Sequence, residues 1–224
     1  MTAAFLLLIL FLLLLIGVPV AISLGFASIT TMMLFGNQSL LSLAQKFFHT
    51  MQVYPLLAVP FFILAGAFMT TGGVAKRMID FANAIVGHYR GGLAMAALLA
   101  SAFFAAVSGS APATVVAVGS VMIVGMINSG YSKSFSAGVI CNAGTLGILI
   151  PPSLVMVVYG AITESSIGKL FIAGIVPGIV MTIAMMATIM VIAKQQNLPR
   201  QPKAELGEVL KSFKEASWGL MLIV

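Results

Sequence analysis

The sequence predicts an all-α integral membrane protein of several spans, containing a re-entrant helical hairpin and a broken helix. Three observations carry this expectation. Hydrophobic residues make up 61% of the 224 residues and charged residues only 7%, against about 45–50% and about 25% in soluble domains. The mean hydropathy is +1.15. The apolar tracts are also interrupted twice by residues unsuited to a regular helix, at Ser108–Thr114 and at Asn142–Ser153. The N-terminus lacks a positive n-region and a small-residue cleavage site, so its first apolar run reads as a retained membrane segment. A single cysteine, Cys141, excludes an intrachain disulfide and a cysteine-cluster metal site. The net charge is +6, but the basic residues fall between apolar spans. Loop orientation accounts for them, and no nucleic-acid partner is expected.

Residues 3–35 are almost continuously apolar, too many for one comfortable span of about 20 residues and few for two. Gly17-Val18-Pro19 divides the tract, because proline lacks a donor and clashes with the preceding turn. Two short helices, 3–16 and 18–35, are favoured, with one kinked, tilted span as the alternative. Residues 36–53 carry Asn37, Gln38, Lys46, His49 and Gln52 and read as an interfacial connection. Tyr54–Thr70 forms the next span, ended by Gly72-Gly73. In 74–91, Lys76, Arg77, Asp80, His88 and Arg90 lie outside a stripe of Met78, Phe81 and Ile85, the pattern of a helix on the membrane surface.

Two apolar runs, Leu93–Val107 and Val115–Ile127, flank the first interruption. Each falls short of the roughly 20 residues of a span, which points to a re-entrant hairpin over 92–127. Phe135–Ile162 is a full span broken at Gly144–Gly147 and Pro151-Pro152-Ser153. A polar loop at 163–169 leads to the span Leu170–Ala193. Residues 194–216 mix Lys194, Arg200, Lys203, Lys211 and Lys214 with Glu205, Glu208 and Glu215 and read as a second surface helix. Residues 217–224 read as the start of a truncated span. The two most basic connections, 74–91 and 194–216, are expected on the cytoplasmic side. The hairpin and two spans between them return the chain to that side.

Irregular backbone survives at membrane depth only where protein or water satisfies it, since an unpaired polar group there costs several kcal/mol. The first interruption offers the hydroxyls of Ser108, Ser110 and Thr114; the second offers Asn142, Thr145, Ser153 and carbonyls freed by Pro151 and Pro152. Several neutral oxygens suit a hard cation such as Na⁺, and paired broken helices are how secondary-transporter sites are built. Helix N-termini facing the site would favour an anionic substrate. The competing reading is helix packing by small residues, which is also the reading for the GxxxG of Gly174–Gly178. No zinc-binding HExxH, phosphate loop or acidic pair within a span occurs, so no enzyme is expected, and transport would need an ion gradient or a partner to supply its energy.

The stretches "VPFFILAGAFMTTGG" (59–73), "FFAAVSGSAPATVVAVGSVM" (103–122), "AGTLGILIPPSLVMVVYG" (143–160) and "IGKLFIAGIVPG" (167–178) closely resemble the large membrane subunit, DctM type, of tripartite ATP-independent periplasmic (TRAP) transporters. They lie in family order, and the chain resembles the N-terminal half of that subunit. The resemblance implies an elevator-type, Na⁺-coupled secondary transporter in the bacterial cytoplasmic (inner) membrane. It would import an organic acid such as sialic acid or a C4-dicarboxylate. The implied partners are a small four-helix membrane subunit (DctQ type) and a periplasmic substrate-binding protein (DctP type). The implied fold has two inverted repeats, each with a hairpin and a broken helix. On that pattern 1–73 are scaffold helices and 74–91 and 194–216 are arms. The hairpin 92–127 and the broken helix 135–162 form the transport unit 92–162, followed by a membrane helix at 163–193. The implied Na⁺ residues are Ser108, Gly109, Ser110, Gly144, Thr145, Gly147 and Ile150. The candidate substrate residues are Ser110, Thr114, Asn142 and Ser153. Two alternatives stand beside this: a dicarboxylate or citrate symporter needing no binding protein, and an ion channel with a re-entrant pore loop.

Overall fold

The computed structural model describes residues 2–36 and 40–220, which form helices joined by short connections. They divide into two units, residues 1–53 and 54–224.

In the first unit, α1 (Thr2–Leu15) and α2 (Val20–Phe35) pack together. The Phe5 and Phe35 rings lie 5.1 Å apart, the start of one helix against the end of the other, so the pair is an antiparallel hairpin. Gly17 makes the turn at φ 88°, and the Val18 amide donates to the Leu13 carbonyl at 3.0 Å. Pro19 stands at the α2 N-cap, where a missing N–H costs no helical bond. The tract 3–35 is thus two short helices, the buried residues of the second being Ser23, Ala27 and Thr31. Four-residue spacing puts these on one face, and their small size lets helices approach closely. The segment read as a connection is helical over α3 (Leu40–Met51). One of its faces carries Ala44, Phe48 and Met51 and the other Gln45, Lys46 and His49. Asn37 and Gln38 lie outside the described residues.

In the second unit, a 3₁₀ turn (Tyr54–Leu57) leads into α4 (Ala58–Thr71), α5 (Val74–Val86), α6 (Gly92–Ser108), α7 (Ala111–Asn128) and α8 (Lys133–Gly144). Then follow α9 (Leu146–Leu149), α10 (Leu154–Thr163), α11 (Ile167–Gln195) and α12 (Leu206–Leu220). The helix α6 is the centre of this unit: Met95, Leu98, Phe104 and the alanines between them are buried, with α5, α7, α8 and α11 around them. Alanine on most of its faces allows that many neighbours at close range. The sequence reading grouped 54–71 with the N-terminal helices, whereas α4 packs on α6, α7 and α10. By length and composition, 54–71, 111–128 and 167–195 can each cross a membrane, and a fourth crossing follows if the bent pair 133–149 and 154–163 is one span.

Three sequence expectations change. The hairpin helices are longer than their apolar runs: α7 is 18 residues and passes as a crossing helix, because only Gly109 and Ser110 are non-helical at the tip. Lys169 belongs to the first turn of α11, capped by Ser166. The surface segment 194–216 is not one helix: α11 runs on to Gln195, and α12 begins only at Leu206. Left-handed Asn197 (φ 51°), Pro199 and Pro202 hold the stretch between them out of helical conformation. Residues 217–220 then continue α12 rather than opening a new helix, and 221–224 lie outside the described residues.

The two basic connections share one side of the unit. The Gly91 amide donates to the Pro199 carbonyl and the Gln201 amide to the Gly87 carbonyl, both at 3.3 Å. Gly91 is left-handed (φ 73°), and a Cβ there would fall 2.5 Å from that of Ala193. On the same side α12 lies on α5, with the Phe81 and Phe213 rings 5.3 Å apart. Asp80 keeps an exposed edge, and partial burial pushes its carboxyl above the ordinary value. Lys76 opposes the shift and the like charge of Glu215 adds to it.

Candidate functional site

The site forms where the hairpin tip meets the helix break. At the end of α6, Gly109 turns left-handed (φ 60°) and its amide donates to Ala105 O at 2.9 Å. Ser110 is extended (φ −130°, ψ 119°), and its Oγ accepts from the Ala113 amide at 3.4 Å, capping α7. Pro112 therefore starts a helix rather than breaking one, since first-turn amides have no helical partner to lose. The Thr114 hydroxyl donates to Ser110 O at 2.8 Å, which leaves Ser108 Oγ to supply the hydrogen of their 3.3 Å contact. Ser108 Oγ in turn accepts from the Ser110 amide at 3.4 Å. Ser108 and Thr114 are fully buried.

The second interruption is built differently. At Thr145 the chain only turns, and the main break is Ile150–Ser153, where the axis bends by 40°. Pro151 and Pro152, joined by a cis peptide bond, offer no amides to the preceding turn. Ser153 is extended (φ −123°, ψ 129°) at the α10 N-cap, yet its side chain makes no cap hydrogen bond. It is fully buried, and its Oγ has no hydrogen-bond partner.

Three backbone approaches join the interruptions. The Leu154 amide, at the start of α10, donates to Gly109 O at 3.0 Å. A Cβ on Gly109 would fall 2.6 Å from Pro152 O, and one on Gly147 would fall 2.8 Å from the Ala111 nitrogen. Gly144 lies directly against the Val115 side chain. Glycine at these positions is what lets the start of α7 rest on the 144–147 stretch. The N-termini of α7 and α10 and the C-termini of α6 and α9 therefore meet in one place. Such a junction offers both amides, which favour negative charge, and carbonyls, which favour a cation.

Of the predicted site residues, Ser108, Gly109, Ser110, Thr114, Gly144, Gly147 and Ser153 come together here or stand directly behind it. Asn142 and Thr145 are exposed, and their side chains bond their own helix: Asn142 Nδ2 donates to Gly138 O and Thr145 Oγ1 to Asn142 O, both at 2.7 Å. Asn142 lines a separate groove of about 500 Å³ with Thr188 of α11. Ile150, Pro151 and Pro152 line an apolar groove of about 780 Å³ with Phe103 and Thr182. Sequence reading missed the Leu154 amide, which no side-chain pattern announces. It also missed Gly66 of α4, where a Cβ would lie 3.9 Å from those of Ser108 and Ala113. The run of small residues in "LAGA" (64–67) is the signal that could have found Gly66.

As a cation site, the junction supplies neutral hydroxyl and carbonyl oxygens, the donor type a hard monovalent ion accepts. The buried, unpartnered Ser153 Oγ is the group most in need of such a partner.

Comparison with known proteins places the chain in a family. Residues 7–224 match the family model "Tripartite ATP-independent periplasmic transporter, DctM component". The chain is 60% identical to the C4-dicarboxylate TRAP transporter large permease protein DctM of Pseudomonas aeruginosa, over 90% of this chain and 47% of the relative. It is 57% identical to the protein of the same description in Vibrio cholerae, over 93% of the chain and 46% of the relative. It is 42% identical to the isethionate TRAP transporter permease protein DctMQ of Oleidesulfovibrio alaskensis, over 94% of the chain and 33% of that protein. The chain thus spans about half the length of the first two relatives. With its helical interruptions in the matched region, this multi-pass membrane chain belongs to the DctM family, the large permease component of tripartite ATP-independent periplasmic transporters.

Proposed function

We propose that this chain carries the first hairpin and broken helix of a Na⁺-coupled importer of an organic acid. A C4-dicarboxylate is the substrate class favoured by the names of the two relatives above 50% identity. The observation that carries the reading is the closed junction of tip and break, where the Gly109 carbonyl accepts from the Leu154 amide beside the unpartnered Ser153 hydroxyl. Ser108, Gly109, Ser110, Gly144, Gly147, Ser153 and the carbonyl of Ile150 surround the coupling ion, with the exposed Thr145 outside them. Ser110, Thr114 and Ser153 face the substrate, and Asn142, on its separate groove, stands apart from them. Ion binding orders the tip and prepares the substrate pocket, and hairpin and broken helix then move together as an elevator. The substrate arrives from a DctP-type periplasmic binding protein, and a DctQ-type subunit completes the assembly in the bacterial inner membrane. The printed name DctMQ of one relative is consistent with such a subunit.

The test is uptake by the complete transporter in liposomes, with binding protein and an imposed Na⁺ gradient. Ser108→Ala or Ser153→Ala should raise the Na⁺ concentration for half-maximal uptake by about tenfold, the effect of losing roughly 1.4 kcal/mol of ion binding. Equal uptake in Na⁺ and K⁺ would remove the coupling ion from the reading. Solute flux without binding protein would favour the channel alternative.

A further inference from the structure

The GxxxG of α11 has a specific neighbour. A Cβ on Gly174 would fall 2.6 Å from the carbonyl oxygen of Leu149, the last residue of α9. A Cβ on Gly178 would fall 2.9 Å from Ile150 Cγ1 and 3.6 Å from Ile150 Cα. Both glycines are buried, whereas Gly168 on the same helix has open space where its Cβ would be. Four-residue spacing puts Gly174 and Gly178 on one face, one turn apart. The residues they receive are the two at which the broken helix leaves helical geometry. Pro177 lies between them, and without an N–H it leaves the Ala173 carbonyl free of its usual partner on that stretch of α11.

We infer that Gly174 and Gly178 are positioning residues: they seat the Leu149 carbonyl and the Ile150 backbone on α11, and so fix the break against which the hairpin tip docks. On this view α11 moves as one body with the hairpin and broken helix, and the GxxxG is a socket for backbone rather than a contact between two regular helices. A methyl at Gly174 meets a carbonyl that can yield only by shifting the break. A methyl at Gly178 meets first a side-chain carbon, which can turn, and so displaces the break less.

The inference rests on the transport reading, and the experiment separates the two. In the complete transporter, Cys141→Ser removes the exposed native thiol and Ser153→Cys places a probe at the buried break. Modification by N-ethylmaleimide should be slow. Added Gly174→Ala should speed it at least about tenfold by opening the break, and Gly168→Ala should leave it unchanged. This labelling needs neither transport nor bound Na⁺, so its outcome is separate from that of the ion reading. In uptake, with the native serine and cysteine in place, Gly178→Ala should lower the rate about tenfold. Ile150→Ala, which removes Cγ1 and keeps the carbonyl, should recover most of that loss, a non-additivity expected of residues in contact. If Gly174→Ala does not reach the membrane, the Gly178–Ile150 pair alone decides. Labelling and uptake in the glycine variants equal to those of Gly168→Ala would overturn the inference. So would additive losses in the Gly178–Ile150 pair.

Discussion

At the hairpin tip, the interrupted backbone largely satisfies itself. Gly109 takes the left-handed turn, Ser110 caps the next helix, and Ser108, Ser110 and Thr114 close a ring of short-range hydrogen bonds. The break at Ile150–Ser153 does none of this. Its prolines donate nothing, its N-cap serine caps nothing, and the first amide of α10 is satisfied by Gly109 of the hairpin. A polar interruption at membrane depth can thus be closed locally or be completed by a neighbour. On the proposed transport reading, the incomplete one is where a bound ion or an opening motion has most to act on.

Four substitutions test that contrast and a fifth tests the α5–α12 contact, from the largest expected effect to the smallest. Gly109→Ala should abolish uptake, because it adds roughly 1–2 kcal/mol of left-handed strain to a Cβ 2.6 Å from Pro152 O. Protein that inserts normally yet does not transport is the expected result, and near-normal uptake would show that the tip and break need not touch. Gly147→Ala should lower thermal stability by about 1–3 kcal/mol of overpacking against the Ala111 backbone. Gly138→Ala, with open space around its Cβ, is the matched control in the same melting experiment.

Ser110→Ala and Ser153→Ala should split. The first should lose about 1 kcal/mol of helix cap and melt earlier. The second has no cap to lose, so it should melt no earlier while losing ion dependence. Equal melting losses in the two would mean that Ser153 is bonded after all. Smallest, Asp80→Asn should strengthen the α5–α12 contact, because burial raises the native carboxyl above its ordinary value of 3.8. A raised carboxyl pKa means that native stability is highest in acid and falls as the pH rises through the shifted value. The gain from the substitution should therefore appear at neutral pH and vanish below about pH 4, read by melting at the two pH values.

Much of this was legible in the chain. Membrane residence follows from composition, and the split of 3–35 follows from Gly17 and Pro19. Both interruptions follow from glycine, proline and hydroxyl residues inside apolar runs, which a bilayer tolerates only under constraint. The apparent shortness of the hairpin helices was misleading. Ser108, Pro112 and Thr114 cut the apolar runs short, although a helix's last residue and a capped first turn accept them. The surface segment 194–216 was misread for the opposite reason, because its charges suit an amphipathic helix while Asn197, Pro199 and Pro202 forbid a continuous one.

The sequence alone determined the class of protein, the two places where its helices fail, and the family to which those failures belong. All of these depend on local chemistry, on which residues can hydrogen-bond their own turn and which can sit in oil. Only the tertiary structure decided that Gly109 meets Leu154, that Gly147 lies under Ala111, and that Gly174 and Gly178 receive the break. Those contacts join segments tens of residues apart through backbone atoms, which every residue carries, so no side-chain pattern could encode their pairing.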